Sequence, residues 1–232
     1  MNIFKTIISR KDILQSKILG ILLTSAAGFM GVYSYLLCGQ IYSNGLTGNL
    51  IFISINIHNA NFAKAFTYLG VVIAFSLGVF FAYFMRHIFP KNKFINFRQF
   101  NILIEIILLI MVIIIPEIHI SHFLITFACG IQIENYEKIR GLNVSTVNFV
   151  GNTKIGAHQL CLFLDTKDPK ELKKALVIYM LMLTFVIGAF IGTICIDLMK
   201  EKSLIICIII LSIGFIYTFF DTNQYSTQEQ QK

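Results

Sequence analysis

Long stretches without any charged side chain are the feature that most limits what this chain can fold into. No Asp, Glu, Lys or Arg occurs within residues 18–63, 65–85, 175–196 or 203–220. About 20 apolar residues in a helix, at roughly 1.5 Å per residue, span the ~30 Å hydrocarbon core of a bilayer. Helices on the surface of a soluble protein need a polar face, and these stretches carry no charges to form one. The sequence therefore predicts an all-α polytopic membrane protein whose main partner is the lipid bilayer.

The overall composition favours the same class of protein. Apolar residues make up 56% of the chain and charged residues 13%, which is about half the usual share of charges in a soluble domain. The net charge of +7 does not indicate nucleic-acid binding, because Lys and Arg cluster just beyond apolar segments, where they orient a membrane protein. The five cysteines lie in apolar segments without CxxC spacing, which favours buried small side chains over disulfides or a metal site.

Eight hydrophobic segments follow one another along the chain: 17–38, 46–58, 64–88, 99–116, 118–134, 146–163, 173–198 and 203–220. The second segment is short, and the sixth is interrupted by Lys154 and His158. Both are predicted to be short re-entrant or broken helices. Residues 1–16 form a basic amphipathic segment, which fits either an interfacial helix or a frayed terminus. Residues 221–232 form a polar tail.

The chain also contains an internal repeat, with residues 17–116 corresponding to 118–220. The matching positions occur in the same order at offsets of 102, 103 and 110: Thr24, Ala26 and Gly28 with Thr126, Ala128 and Gly130; Gly48-Asn49 with Gly151-Asn152; Lys64-Ala65, Gly78 and Phe80 with Lys174-Ala175, Gly188 and Phe190. The offsets grow where loops can absorb insertions. A duplication is therefore predicted.

The distribution of positive charges distinguishes two topologies. If all eight segments cross the membrane, the 19 Lys and Arg residues divide ten to nine, which gives no orientation. If segments two and six return to the side from which they enter, only Lys64, Lys200 and Lys202 are external and the other sixteen are cytoplasmic. This bias favours about six transmembrane helices plus the two short ones, with both termini cytoplasmic. Three crossings per repeat also predict that the two repeats are inverted relative to each other.

Polar turns precede both short segments and form the candidate site. Ser, Thr and Asn at these places can cap helices, and irregular backbone at membrane depth has to be satisfied by protein or water. Free N–H groups at a helix start attract anions or the negative end of a polar solute. A solute site between the two turns is therefore predicted, with these candidate binding residues: Thr47, Gly48, Asn49, Asn148, Gly151 and Asn152. The alternative, that these side chains only cap buried turns, remains equally open.

Three further polar residues are candidates for lining a cavity. Glu105 lies within the fourth segment, where a carboxylate costs roughly 2.5 kcal/mol or more at the bilayer centre; the alternative is that it lies near the interface or pairs with a base. Gln132 ends the fifth segment, where a solvated cap also explains it. His158 lies one helical turn after Lys154, and both can face a cavity or reach the membrane surface.

The motifs that frame these turns resemble one known family. Gly28-Phe29, Leu46-Thr47-Gly48-Asn49, Gly130-Ile131-Gln132 and Gly151-Asn152 are similar to motifs of the YoaK family, which comprises bacterial inner-membrane proteins with a domain of unknown function. The resemblance covers essentially the whole chain. It implies about six spans and a location in the bacterial inner membrane, and it brings no established activity.

Two classes of function are consistent with these patterns. A transporter or channel for a small solute, with an anion favoured by the helix starts, agrees with the duplication and the paired short segments. The alternative is a membrane protein that does not transport, such as an interaction partner, a sensor or an assembly factor. No catalytic residues, no metal site and no cofactor are predicted, because HExxH, GxSxG, CxxC and clustered carboxylates are missing from the sequence.

Overall fold

The computed structural model of the protein describes residues 17–88, 97–115, 117–136, 138–139 and 142–219. In this part of the chain, each of the eight hydrophobic segments forms an α-helix, which confirms the predicted all-α class. The helices are α1 (Lys17–Leu37), α2 (Leu46–His58), α3 (Phe62–Ile88), α4 (Phe97–Ile114), α5 (Ile118–Asn135), α6 (Phe149–Thr166), α7 (Pro169–Met199) and α8 (Leu204–Phe219). The predicted segments 1–16 and 221–232 lie outside the described residues.

Two small elements connect these helices and were not predicted. Between α5 and α6, β1 (Lys138–Ile139) pairs in antiparallel fashion with β2 (Leu142–Asn143). Between α7 and α8, Lys200–Ser203 forms a single turn of 3-10 helix. Both elements are too short to appear in a pattern of hydrophobic residues.

The lengths of the helices fit a membrane protein. Four stretches are long and apolar enough to cross a bilayer, namely α1, α3, α4 and the continuous stretch Pro169–Phe219 of 51 residues. Charged residues of the 3-10 turn divide that last stretch into α7 and α8. Helix α2 has only 13 residues, about 20 Å of helix, which is shorter than the hydrocarbon core. Helix α6 has 18 residues and continues without interruption through Lys154 and His158, so the predicted break in the sixth segment was wrong.

The outer surface of the bundle is apolar, and several polar side chains are buried inside it. Phe66 and Phe80 on α3 are 69% and 64% exposed, and Leu183 and Phe190 on α7 are 60% and 66% exposed. A soluble monomer rarely exposes so many large apolar side chains. The opposite group, polar residues that are fully or almost fully buried, includes Asn101, Glu105, Gln132 and Asn135. Such an arrangement is expected of a bundle whose outside contacts lipid.

Helices of the first half pack mainly on helices of the second half. The most extensive contacts join α1 to α7 and α3 to α5. Helix α2 packs on α3, which follows it, and α6 packs on α7 in the same way. Further contacts join α1 to α8 and α4 to α5. The two halves use equivalent pairs of helices. If α1 is exchanged with α5, α2 with α6, α3 with α7 and α4 with α8, the same set of contacting pairs results.

Glycines allow the two main crossings to be close. A Cβ atom at Gly28 would overlap the carbonyl oxygen of Phe185, and one at Gly188 would overlap that of Ser25, so α1 and α7 touch backbone to backbone. Small residues at helix interfaces permit such contact within membranes. The crossing of α3 and α5 has the same form, with Gly78 against Phe127 and Gly130 against Phe75.

Adding one methyl group at the α3–α5 crossing is expected to destabilise the protein. Gly78→Ala gains up to about 1 kcal/mol of helix propensity, but its Cβ overlaps the Phe127 carbonyl, and overpacking typically costs ~1–3 kcal/mol. Gly70→Ala is the matched control on the same helix, because a Cβ there meets no atom within 4 Å. Thermal unfolding in detergent, followed by circular dichroism, should show a lower midpoint for Gly78→Ala only. Equal midpoints for the two variants would contradict the close crossing.

Candidate functional site

Helices α2 and α6 begin at the same cavity. Its volume is about 290 Å³. Its walls come from the first turns of α2 and α6 and the turns before them, together with one face each of α3, α5 and α7: Asn44, Gly45, Leu46, Thr47, Gly48, Phe75, Ile133, Val147, Asn148, Phe149, Val150 and Phe185. The structure therefore brings together the two turns that the repeat relates to each other.

The start of α2 presents backbone donors to this cavity. Its N-cap residue, Gly45, has no side chain that could cap the helix, and the first helical hydrogen bond runs from the Asn49 amide to the Gly45 carbonyl at 3.2 Å. The first amides of any α-helix have no acceptor within the helix. At α2 these are the amides of Leu46, Thr47 and Gly48, and all three residues line the cavity.

The start of α6 is held more firmly by side chains. The Asn148 side chain caps the helix by accepting a hydrogen bond from the Val150 amide at 3.2 Å. The Ser145 hydroxyl accepts hydrogen bonds from the amides of Val147 at 3.1 Å and Asn148 at 2.8 Å. The turn before α6 is thus fixed locally, with Asn148 and Val150 at the wall of the cavity.

The paired asparagines Asn49 and Asn152 point away from the cavity wall and into the turns. The Asn49 carboxamide donates to the Tyr42 carbonyl at 2.8 Å. The Asn152 carboxamide donates to the Ser145 carbonyl at 2.7 Å and accepts from the Ser145 amide at 2.8 Å. Each asparagine therefore binds the backbone seven residues before it, and both side chains are buried. Their geometry supports the capping interpretation for these two residues.

Removing the carboxamide is expected to weaken α6 more than α2. Asn152→Ala deletes two hydrogen bonds to Ser145, whereas Asn49→Ala deletes one to Tyr42. Each lost hydrogen bond is partly buried, and a hydrogen bond contributes roughly 0.5–1.5 kcal/mol to stability. Thermal midpoints in detergent should fall in the order parent, Asn49→Ala, Asn152→Ala. Variants that keep the parent's midpoint and lose solute binding would instead place both side chains in direct contact with a solute.

The remaining predicted site residues are distributed around the cavity. Thr47 and Gly48 line it, and Gly151 lies just beyond its wall in an exposed position. Gln132 is fully buried and donates to the Leu23 carbonyl at 2.8 Å and the Thr146 hydroxyl at 3.1 Å, so that it ties α1 to the turn before α6. His158 is exposed on α6. Glu105 is buried inside the bundle. None of these last three contributes to the cavity wall.

Nine of the twelve residues that line the cavity were not among the predicted site residues, and three of the nine show how its wall is built. Asn44 lines the wall and donates to the Ala27 carbonyl at 3.3 Å, which holds the turn before α2 against α1. Phe75 of α3 and Phe185 of α7 form opposing apolar walls. They are 110 residues apart, the same offset that relates Gly78 to Gly188. The same offset also relates Phe80 to Phe190, which are exposed on the outside of the bundle, so the offset alone could not have identified the two cavity residues.

A second and larger cavity has a different character. Its volume is about 790 Å³, and it lies beside the starts of α1 and α7. Four lysines line it together with apolar side chains: Lys17, Lys170, Lys173 and Lys174. All four belong to the residues predicted to be cytoplasmic, and the cavity contains none of the predicted site residues.

The fold and the cavity define a helical protein with the properties of a membrane protein, in which α2 and α6 start at a common cavity. The model of the family described as "Protein of unknown function (DUF1275)" matches residues 19–217, and the chain belongs to this family. The match confirms the resemblance to YoaK-type proteins. No curated protein and no solved structure matches the chain.

Proposed function

We propose that the protein is an inner-membrane transporter or channel for a small anionic solute, which binds in the cavity between the starts of α2 and α6. The observation that carries this proposal is that the first turns of α2 and α6 line one cavity. Each helix N-terminus carries a partial charge of roughly +0.5. Two such ends at one cavity favour an anion there more than either end alone.

The chemistry of the wall supports an anion of modest size. The lining side chains are apolar, hydroxyl or carboxamide groups, so no carboxylate from the wall repels a negative solute. The Thr47 hydroxyl and the first-turn amides of α2 can donate hydrogen bonds. The phenyl rings of Phe75 and Phe185 restrict the width of the site and keep its surroundings apolar, which strengthens the attraction between helix ends and an anion.

The inverted repeat is part of the same proposal. The exchange of packing partners between halves, the two glycine crossings and the matching asparagine hydrogen bonds are those expected of a duplicated unit. The proposal takes α2 and α6 as helices that do not cross, which leaves six that span the membrane, and the distribution of Lys and Arg favours cytoplasmic termini. Solute sites between paired discontinuous helices are common in transporters built from inverted repeats.

Anion flux into proteoliposomes tests this proposal. Purified protein is reconstituted into liposomes that contain a fluorophore quenched by iodide, and iodide or nitrate is added outside. Faster entry of both anions than into protein-free liposomes is expected, with urea entry unchanged. Folded, reconstituted protein that admits neither anion would favour the alternative class, a membrane protein for interaction, sensing or assembly.

A further inference from the structure

One carboxyl group is enclosed in the bundle without a partner. Glu105 lies in the middle of α4, and its side chain is 0% exposed. Neither of its carboxyl oxygens has a hydrogen-bond partner among the described residues. The α4 helix packs on α5 and α8, so the carboxyl group lies in the interior and away from the lipid-facing surface.

No positive charge in the described residues compensates this carboxyl group. The titratable groups that interact with it electrostatically are Cys129 of α5, Tyr136 just after α5, and Cys207 of α8. Thiols and phenols are uncharged at neutral pH. Arg98, two turns before Glu105 on α4, interacts electrostatically with Tyr136, and Arg86 of α3 forms an ion pair with Glu134 at 3.0 Å. An ionised carboxylate without a partner is very costly in such a place, and the group binds a proton instead.

The surroundings fit a proton better than a metal cation. Hard cations such as Mg²⁺ and Ca²⁺ take about six or more oxygen ligands at ~2.0–2.6 Å. Among the described residues, no group of three or more His, Cys, Asp and Glu side chains that could hold a metal ion includes Glu105. The carboxyl group supplies two oxygen atoms, which is fewer than such a cation takes, whereas a proton binds to one oxygen.

A short polar chain connects this group to the cavity. The Cys129 thiol, which interacts with Glu105, is 3.7 Å from the Ser43 hydroxyl, and the Ser34 hydroxyl donates to Ser43 at 3.1 Å. Ser43 directly precedes Asn44, which lines the cavity between α2 and α6. The Cys129 thiol and the Ser43 hydroxyl thus form a polar path from the surroundings of Glu105 to the turn before α2.

We propose that Glu105 is a proton-binding site, and that its carboxyl group takes up and releases the proton that couples to movement of the solute. The first part stands on the burial of Glu105 and its lack of a partner. The coupling rests on the proposed function and on the Cys129–Ser43 connection. When the bundle is closed, the proton stays on the carboxyl group; when solvent reaches α4, the proton exchanges with water.

Carbodiimide labelling tests the proton site without any transport measurement. The O–H of a protonated carboxyl adds across one C=N bond of dicyclohexylcarbodiimide: the oxygen bonds to carbon, the proton moves to nitrogen, and the product rearranges to a stable N-acylurea. This apolar reagent enters membranes. Native protein in liposomes at neutral pH is expected to carry the adduct at Glu105, as located by mass spectrometry of peptides. A water-soluble carbodiimide is expected to label exposed carboxyl groups such as Asp165 and to leave Glu105 unmodified.

Two results would overturn the proton site: no dicyclohexylcarbodiimide adduct at Glu105 in folded protein, or equal labelling of Glu105 by both reagents. Coupling is tested separately with Glu105→Gln, which keeps the shape of the protonated group and cannot release a proton. An inward proton gradient should drive iodide accumulation by the parent, and this accumulation should be lost in Glu105→Gln. Gradient-driven accumulation that survives in this variant would end the coupling role. A parent that labels at Glu105 and passes no anion would leave the proton site intact and refute the proposed function instead.

Discussion

Filling the cavity at Gly48 is expected to abolish anion flux and leave the fold intact. Gly48 lines the cavity, and a Cβ atom placed on it meets no atom within 4 Å. The phenyl ring of Gly48→Phe can therefore enter the cavity without displacing backbone, and it occupies the space of the solute beside the first-turn amides of α2. Iodide entry into proteoliposomes should fall to the level of protein-free liposomes, while the thermal midpoint in detergent stays near that of the parent.

The second repeat provides the matched control for this variant. Gly151 is the equivalent of Gly48, and its Cβ position is equally open, but it lies outside the cavity wall. Gly151→Phe adds the same side chain at the equivalent position of α6, and this variant should retain anion flux. Parent-like flux in Gly48→Phe, or equal loss in both variants, would contradict the assignment of the site to this cavity.

Replacing Glu105 with Lys is expected to prevent the protein from folding, whereas Glu105→Gln is expected to fold. A carboxamide has nearly the shape of a protonated carboxyl group and carries no charge. A lysine ammonium at a fully buried position leaves an uncompensated charge, which typically costs about 3–5 kcal/mol. Much of the ~5–15 kcal/mol stability of a typical protein would be lost.

The yield of monodisperse protein after extraction in mild detergent measures this difference. Glu105→Gln should elute from size exclusion like the parent, and Glu105→Lys should aggregate or fail to accumulate in the membrane. A folded Glu105→Lys protein with a midpoint near that of Glu105→Gln would show that solvent reaches this position, and the proton would then not be held by burial.

The positions of the helices could largely be predicted from hydrophobicity. The second segment, 46–58, coincides with α2 because polar turns bound it on both sides. The sixth was predicted to start at residue 146, but Asn148 caps the helix and α6 begins at Phe149. The start of α7 was placed at residue 173 and lies at Pro169, because Asp168 caps a polar first turn that an apolar run does not include.

The candidate site was predictable only where local chemistry defines it. Thr47, Gly48 and Asn148 belong to polar turns before short segments, and the structure places all three at the cavity wall. Phe75 and Phe185 reach the cavity from α3 and α7, and that contact depends on the tertiary packing of distant helices. In an apolar chain, nothing distinguishes these two rings from phenylalanines that face lipid.

The pairing of helices between the two halves could also not be predicted from the sequence. The repeat related Gly28 to Gly130 and Gly78 to Gly188, which are the residues that allow the closest contacts. It did not show that each glycine of one half meets a helix of the other half, α1 on α7 and α3 on α5. Helix partners are set by the shape of the surfaces that meet, and a one-dimensional pattern does not contain that information.

The most direct test of the anion site is the location of bound iodide in a crystal. Iodide scatters anomalously, so an anomalous difference map identifies its position without reference to any assumed site. With protein that passes iodide in proteoliposomes, a peak is expected in the cavity of about 290 Å³, within hydrogen-bonding distance of the first-turn amides of α2 and facing the start of α6. Iodide bound elsewhere in the bundle, with no peak between the starts of α2 and α6, would contradict the anion site.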